Sequence, residues 1–451
     1  VLAIGAGPSN LALAVALEEL APDDLATSTL LIERNESVAW QPGMLLPSAR
    51  SQVSFLKDLV TLRNPRSEFS FLNYLHSVGR LDAFTNMGSF LPYRIEISEY
   101  LRWVAASLSK VRVALGVGCT SIEPCWDGQG VLAGWITHLS DGSSIQSRYL
   151  VFGGGRDPYV PPVFGQLPQS RVIHSTRFRT SVAELSKGHP YRVLVVGSAQ
   201  SAAEMVHALH DDLPQCDLTW VMRSIGATAY EHSKFTNELY YPSFVDEFFV
   251  ARPEAREQML REMHRTNYSG VAPDLLESLY SGFYLDRLTG QNRRRIITMA
   301  DVTGAREVDG EVVVDLHDRK TGCKEEVRCD LVFLGTGFVR EMPSGVRHLA
   351  DAIGLERIEV TRKYRLMVDR PASAACYLQG VNEATHGIAD SLLSVLAHRA
   401  ADIVEDLIAH RSMTRNGDGA RSRLAPLRAA VARRHPVPAQ VRSGGDSRMV
   451  S

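Results

Sequence analysis

Val1-Leu-Ala-Ile-Gly-Ala-Gly-Pro-Ser-Asn10 opens the chain and decides how the rest of it folds. Val1 to Ile4 is a short apolar run that suits a buried strand, and Gly5-Ala6-Gly7 is a turn with almost no side-chain bulk. From Asn10 the run Leu11-Ala-Leu-Ala-Val-Ala-Leu17 is rich in strong helix formers. Strand, glycine turn and helix bring unpaired N–H groups and a positive dipole end to one point, which suits a pyrophosphate. Gly5, Gly7, Pro8 and Asn10 are therefore candidate cofactor contacts, with Asn10 standing where a third glycine is expected. Downstream, Thr29-Leu-Leu-Ile32 reads as a second buried strand. It ends in Glu33, placed to accept from a ribose 2′-OH.

With 451 residues, the chain is expected to form two or three domains rather than one core. Its 45% hydrophobic and 22% charged content is that of a soluble globular protein. Lys+Arg 49 against Asp+Glu 51 gives no bias toward nucleic acid or a membrane surface. No apolar run approaches the ~20 residues that span a bilayer. The six cysteines, Cys119, Cys125, Cys216, Cys323, Cys329 and Cys376, form no Cys-x-x-Cys and no metal-ligand spacing. Reduced thiols in the cytoplasm and no metal are the expectation. The chain begins inside an apolar run without a Met, so sequence is expected before Val1.

Trp40-Gln-Pro-Gly-Met-Leu-Leu-Pro47 through Ser54-Phe-Leu-Lys-Asp58 mixes proline, glycine and large apolar residues, and reads as the lining of a pocket. Lys57 stands among Phe55, Leu56 and Leu59, so its ammonium either snorkels to solvent or pairs with a carboxylate. Phe69 to Val78 and Ile95 to Leu108 read as amphipathic helices, with Ser98 a candidate N-cap. Val111 to His138 reads as short strands, followed by a hairpin signal at Asp141-Gly142. Arg148 to Phe152 is a buried strand running into Gly153-Gly-Gly155 and a proline-rich crossing.

The pattern then repeats. Tyr191 to Val196 leads into Gly197-Ser-Ala-Gln-Ser-Ala202 and a helix over Ala203 to His210, with Ala199 in place of the central glycine. The partner strand Asp217 to Met222 ends at Arg223, a cation suited to a 2′-phosphate, hence NADPH rather than NADH. Ser224 to Arg295 leaves the alternation and reads as helices and loops. Within it, Phe235-Thr-Asn-Glu238 and Thr266-Asn-Tyr-Ser269 suit either caps or ligand contacts. Glu311 to Leu316 and Glu326 to Leu334 return to strand, the second entering Gly335-Thr-Gly337-Phe338. Cys376 to Gly380 is a short strand, Asp390 to Ile408 a long helix, and the Arg-rich end of the chain reads as a disordered tail.

Seven stretches together resemble the flavin-dependent N-hydroxylating monooxygenases, the ornithine and lysine N-hydroxylases of hydroxamate siderophore biosynthesis. They are Gly5-Ala-Gly-Pro-Ser-Asn-Leu11, Trp40-Gln-Pro-Gly-Met44, Gln52-Val-Ser-Phe-Leu-Lys-Asp58, Gly197-Ser-Ala-Gln-Ser-Ala-Ala-Glu204, Phe235-Thr-Asn-Glu238, Asn267-Tyr-Ser269 and His386-Gly-Ile-Ala-Asp-Ser-Leu-Leu-Ser394. Ala199, Ile388-Ala389 and Ser391 depart from the family pattern. The resemblance implies that Lys57 pairs with a substrate α-carboxylate, joined by Asn237. It puts Asn267 at the amino-acid end, Ser394 near the flavin and Gln52 beside the isoalloxazine, with Trp40 among the cofactor contacts. It gives Ser198 and Gln200 to the second pyrophosphate, Gly197 and Ser201 to the cofactor contacts, and Arg223 and Arg177 to NADPH. Gly337 joins the cofactor contacts. Gln52, Asn267 and Ser394 would be the catalytic set. NADPH would reduce FAD, O₂ would add at flavin C4a, and the neutral amine would attack the distal oxygen.

The expected fold class is α/β, with two Rossmann-like dinucleotide-binding domains for FAD and NADPH and a smaller, mainly helical substrate-binding insertion. Residues 1–160 and 327–410 are expected to bind FAD, 161–223 and 296–326 NADPH, 224–295 the substrate, and 411–451 to form the tail. The substrate implied is L-ornithine, and the assembly a homo-oligomer, a tetramer by resemblance. L-Lysine N6-hydroxylation is the alternative, followed by a general or Baeyer–Villiger flavin monooxygenase. The missing Cys-x-x-Cys argues against a disulfide reductase, and two nearly intact nucleotide turns argue against a scaffold without turnover.

Overall fold

The structure, a computed structural model, describes residues 1–231 and 233–418. Two five-stranded sheets, parallel throughout, carry it. The first runs in the order Ala375–Leu378, Tyr149–Phe152, Leu2–Ile4, Leu30–Ile32, Arg112–Ala114. The second runs Arg294–Ile297, Asp217–Val221, Arg192–Val196, Leu331–Leu334, Val172–His174. Each glycine turn therefore leaves the central strand of its sheet. Both sheets follow one scheme: central strand, glycine turn, helix, second and third strands to one side, a three-stranded antiparallel sheet, then a strand on the other side of the centre. The second pass is nested between Phe152 and Ala375 of the first. This is the doubly wound α/β architecture expected from the sequence.

Parallel strands are covered on both faces, so they read as unbroken apolar runs. Leu2–Ile4, Tyr149–Phe152, Leu331–Leu334 and Ala375–Leu378 are buried at every position. The helix Pro8–Leu20 is buried from Asn10 to Leu17 on all sides. It packs between its sheet and the helix Leu396–Asp418, where Ile403, Val404 and Leu407 join the same core. A helix apolar all round needs such a two-sided cover.

Two close approaches of backbone fix the glycine turns. A Cβ on Gly5, which sits at φ +90°, would lie 2.9 Å from the Gly153 carbonyl oxygen. One on Gly197, at φ +136°, would lie 2.4 Å from that of Gly335. The glycines at the two crossings are thus the other half of each turn: Gly153 N–H donates to Ile4 O at 3.0 Å and Gly335 N–H to Val196 O at 2.8 Å.

Asn10 is corrected here. It is fully buried, its Nδ2 donates to Ile4 O and Gly5 O at 2.8 Å each, and its Oδ1 accepts from Gln379 at 2.7 Å. It holds the turn from beneath and has no exposed atom with which to meet a nucleotide.

Other boundaries differ for physical reasons. Leu331–Leu334 hydrogen-bonds between Arg192–Val196 and Val172–His174, so the return to the first sheet comes after Leu334 rather than at 327. Arg294 and Arg295 belong to the edge strand of the second sheet, not to the insertion. Ser98 is not an N-cap: the helix Arg94–Ser107 starts a turn earlier, and the buried Ser98 hydroxyl accepts from Trp40 N–H at 3.1 Å. Ile388–Ser391 and Leu393–Val395 are 3₁₀ turns, and the long helix begins at Leu396 rather than Asp390. That helix continues to Asp418, past the expected start of the tail, and residues 419–451 lie outside the described residues.

Between Val221 and Arg294 the chain forms Lys234–Glu238, Pro242–Val250, Pro253–Asn267 and Pro273–Leu288, the helical insertion that was expected. Three of these helices start with proline, whose missing N–H costs nothing there. Val245 and Met263 pack on Ile388, Ala389 and Val395 from the C-terminal part of the chain. Leu279 and Phe283 pack with Met205 and Leu209 of the second nucleotide turn's helix. The insertion therefore seals onto both halves. Among the described residues no helix is long and apolar enough to cross a membrane.

Gly197→Ala should lose about 2–4 kcal/mol of stability from φ strain and the clash with Gly335. Gly188→Ala, where an added Cβ meets nothing within 4 Å, should stay within about 0.5 kcal/mol. Urea unfolding of both variants checks this, and equal stabilities would remove the close approach as the reason for glycine.

Candidate functional site

One cavity of about 1980 Å³ is lined by both sheets and the insertion. The C-terminal ends of the two central strands open into it with the first turns of Pro8–Leu20 and Gln200–Asp212. Gly5, Gly7, Pro8, Glu33, Trp40, Gln52 and Lys57 line it from the first half. Gly197, Ser198, Gln200, Ser201, Arg223, Asn237, Asn267, Gly337 and Ser394 line it from the rest of the chain. Residues spread over more than three hundred positions of sequence thus share one space. Arg177 does not: it is exposed, and its Nη2 donates to Gln169 O at 2.9 Å, away from the cavity. Asn10, described above, is the other predicted contact that the cavity does not reach.

The first turn fits a dinucleotide. Gly7, the N-cap of Pro8–Leu20, has an extended backbone, and a Cβ there would meet nothing within 4 Å. Its lack of a side chain leaves open space where a pyrophosphate would approach the helix start. Glu33 sits at the end of Leu30–Ile32, its Oε2 accepting from Ala6 N–H at 3.0 Å and its Oε1 from Asn35 Nδ2 at 2.6 Å. A carboxylate oxygen has more than one acceptor site, so Glu33 can brace the turn and still accept from a ribose.

The second turn is built alike. Ala199 occupies the N-cap with an extended φ of −98°, which explains why alanine is tolerated where glycine is usual. Arg223 lies beside Asp301, which also lines the cavity. Arg319 binds Asp301 with two hydrogen bonds at 2.6 and 2.7 Å. Those bonds hold the Asp301 carboxyl below its ordinary range, and Arg223 adds to the effect. With Asp301 engaged by Arg319, Arg223 lines the cavity as a cation at the strand end, which suits a 2′-phosphate.

Between the turns lies a buried ion pair that composition and spacing did not reveal. Arg94 donates to Glu204 at 2.8 and 3.0 Å and to Met44 O at 2.9 Å. The Arg94 guanidinium stands 5.9 Å from the Trp40 ring. Gln200 donates to Glu204 at 2.9 Å and accepts from Ala272 N–H at 2.8 Å, just before the helix Pro273–Leu288. No sequence signal couples residues 110 positions apart, and Gln200's amide is engaged in structure as well as facing the cavity.

At the insertion end, Lys57 lines the cavity. It is half-buried, and burial lowers its pKa from the ordinary lysine value. Its Nζ lies 4.6 Å from the centroid of the Tyr241 ring, and among the described residues no carboxylate pairs with it. The adjacent Asp58 is turned away, saturated by the N–H groups of Val60, Thr61 and Phe71 and the Thr61 hydroxyl. Asn267 ends the helix Pro253–Asn267, and Asn237 lies on the short helix that Ser233 caps at 3.0 Å. The Ser394 hydroxyl is buried without a hydrogen-bond partner among the described residues, though it lines the cavity. Buried polar atoms are normally paired, so an orphan facing a cavity marks a ligand position. Tyr241, which the sequence reading passed over, was signalled only as an aromatic residue before a helix-starting proline. Among the described residues no group of His, Cys, Asp and Glu is arranged to hold a metal ion.

Residues 1–340 match the model of a family described as L-lysine 6-monooxygenase/L-ornithine 5-monooxygenase. The L-ornithine N(5)-monooxygenase of Pseudomonas aeruginosa is 36% identical over 416 residues, covering 91% of this chain and 93% of the relative. The structure of ornithine hydroxylase (PvdA) from Pseudomonas aeruginosa superposes with a TM-score of 0.84 at 35% identity, covering 91% of this chain and 98% of that one. The ornithine N-hydroxylase KtzI of Kutzneria sp. 744, with reduced FAD, NADP⁺ and L-ornithine, gives 0.83 at 33% identity, covering 91% and 99%.

Replacing Arg223 with Ala should raise the dissociation constant of NADPH about 10- to 100-fold and leave that of NADH nearly unchanged, because one charged hydrogen-bond donor to the 2′-phosphate is lost. Titration of both coenzymes checks this, and equal losses would remove the assignment.

Proposed function

We infer the activity from kinship and site together: the chain belongs to the L-lysine 6-monooxygenase/L-ornithine 5-monooxygenase family. It uses FAD, NADPH and O₂ to hydroxylate the side-chain nitrogen of L-ornithine, for a hydroxamate siderophore or related product. The observation that carries the reading is Lys57. A half-buried ammonium that faces a cavity and has no carboxylate partner among the described residues is set to receive one from a ligand.

FAD reduced by NADPH supplies the electrophilic oxygen that no side chain carries. The rest falls to the chain's own residues. Gly5, Gly7, Pro8 and Glu33 hold FAD on the first sheet, with Trp40 and Gln52 toward the flavin. Gly197, Ser198, Ser201, Arg223 and Gly337 hold NADPH on the second. Lys57 and Asn237 take the amino acid's carboxylate end, and Asn267 and Ser394 supply polar contacts. Gln52, Asn267 and Ser394 form the catalytic set. Their work is to place a neutral amine in a space from which water is excluded, the two contributions positioning makes to such a reaction. A carboxylate anchor also rejects simple amines, because an unfilled Lys57 would stay half-buried and without its carboxylate.

Two further readings go with this one. The chain acts in the cytoplasm, where its thiols, free among the described residues, stay reduced. It also assembles as a homo-oligomer, a tetramer by family resemblance. Exposed Tyr280, Tyr284, Leu285 and Leu288 on the helix Pro273–Leu288 support a self-contact.

The KM for L-ornithine should rise at alkaline pH, and at a lower pH than an ordinary lysine would give. Lys57 is charged below its pKa, burial lowers that pKa, and deprotonation removes the anchor. Lys57→Met should raise KM about 30- to 1000-fold, flatten this limb and leave reduction of the flavin by NADPH intact. A pH series of initial rates for both proteins checks it, and an unaltered KM would return Lys57 to a solvent role.

L-Lysine should bind but couple poorly. With the carboxylate fixed, one more methylene moves the amine by ~1.3 Å, against a placement tolerance of about 0.5 Å. Following NADPH consumption, hydrogen peroxide and hydroxylated product at saturation should show tight coupling for ornithine and mostly peroxide for lysine. Better coupling with lysine would make this the lysine enzyme of the same family.

A further inference from the structure

Arg399 lies on the helix Leu396–Asp418, beyond the residues that match the family model, and is 1% exposed. It forms an ion pair with Asp390 at 2.9 Å, and both side chains are wholly buried. Asp390 is itself fixed, its Oδ2 accepting from Asn382 N–H at 2.7 Å. The Arg399 Nη1 also donates to the Asp390 carbonyl oxygen, and its guanidinium lies 5.9 Å from the Tyr364 ring. Its Nη2 has a different target: it donates to Ser9 Oγ at 2.8 Å. Burying an arginine this fully is expensive, and its Nε finds no partner among the described residues.

Ser9 is the second residue of Pro8–Leu20 and lines the cavity at the first glycine turn. Pro8 before it has no N–H, so the helix start presents one donor fewer to an anion than it otherwise would. A guanidinium can only donate. Ser9 Oγ must therefore be the acceptor in that bond, and its own proton is directed elsewhere. Among the described residues the hydroxyl donates to no acceptor, and it lines the space at the first glycine turn where the dinucleotide's pyrophosphate would lie.

We propose that the Ser9 hydroxyl donates to the FAD pyrophosphate and replaces the donor lost at Pro8, with the buried Arg399–Asp390 pair setting the direction of that bond. Ser9 is thus a binding residue, and Arg399 a positioning residue that acts through it. The charge of Arg399 polarises the hydroxyl, and a chain from guanidinium to hydroxyl to phosphate strengthens both bonds. The last helix of the chain thereby completes a site opened by the first. The inference rests on FAD occupying the first turn.

The test uses purified holoenzyme. Free-flavin fluorescence after serial dilution gives the FAD dissociation constant, and ³¹P NMR reports the two phosphates of bound FAD. Ser9→Ala should raise the dissociation constant about tenfold, as expected for one charge-assisted hydrogen bond, and shift one ³¹P resonance. Ser9→Thr, which keeps the hydroxyl, should restore both. Arg399→Lys should weaken FAD in the parent background and add little in Ser9→Ala, because it acts through the same bond. Ser9→Ala with unchanged affinity and unchanged ³¹P spectrum, Ser9→Thr behaving like Ser9→Ala, or fully additive losses would each overturn the proposal. If Arg399→Lys gives no folded protein, the two Ser9 variants decide alone. A parent protein that takes up no FAD would instead overturn the reading of the first turn, so the two failures are distinguishable.

Discussion

A Cβ on Gly5 would come within 2.9 Å of the Gly153 carbonyl oxygen, and one on Gly197 within 2.4 Å of Gly335 O. These contacts lock the exit of each central strand against the exit of its neighbour, and from that lock the helix that follows takes its aim. Pro8–Leu20 and Gln200–Asp212 then present their first turns to the same space. A side chain at either position would push the strand ends apart and turn the helix start away from it. The nested order of the chain follows too. The second sheet is built wholly between two strands of the first, so two connections join the units rather than one. Two crossings restrict how far the two turns swing apart.

The Arg94–Glu204 pair works on the same geometry from within. A buried ion pair adds little net stability over apolar packing, but losing one partner leaves an uncompensated charge at a cost of about 3–5 kcal/mol. Its value is in direction. Arg94 belongs to a helix on the first half, Glu204 to the helix of the second glycine turn, and Gln200 extends the chain of bonds to Ala272 at the start of the insertion's last helix. Packing alone would let these elements slide along apolar faces, whereas a bidentate bond with partners on both sides has one arrangement. Arg94 and Gln200 border the cavity, so the constraint acts where misplacement would matter most.

The sequence revealed what depends on local chemistry. Glycine where φ is positive, apolar runs of strand length, prolines at helix starts and Arg223 at a strand end are all signals contained in a few consecutive residues. Hence the two turns, the helical insertion and the α/β class were legible. The errors lay where distant chain decides the outcome. Leu331–Leu334 has the same character as any buried strand, and only its hydrogen bonds to Arg192–Val196 and Val172–His174 assign it to the second sheet. Asn10 occupies a nucleotide-motif position, yet Gln379 pins it under the turn. Arg177 has a suitable charge but turns to Gln169. Arg94 carries no motif of its own, and Glu204, though it closes the second glycine-turn stretch, gives no sign of a partner 110 positions away, so their pairing was invisible.

Satisfaction of polar groups separates scaffold from site more sharply than residue type does. Asp58 and Lys57 are neighbours in sequence, both charged and both at least half-buried, but they are treated in opposite ways. The aspartate takes four hydrogen bonds from its own loop and fixes the shape of the segment. The lysine is left with an aromatic ring and, among the described residues, no carboxylate. The pattern recurs at the other end of the chain, where Asp390 is saturated and Ser394, four residues on, keeps an orphan hydroxyl. Each unsatisfied group costs stability on the order of 1–3 kcal/mol. Each sits next to a residue that is over-determined by its bonds. A strained or unpaired group persists only where its surroundings leave it no alternative position, so the saturated neighbour is the physical condition for the unsatisfied one.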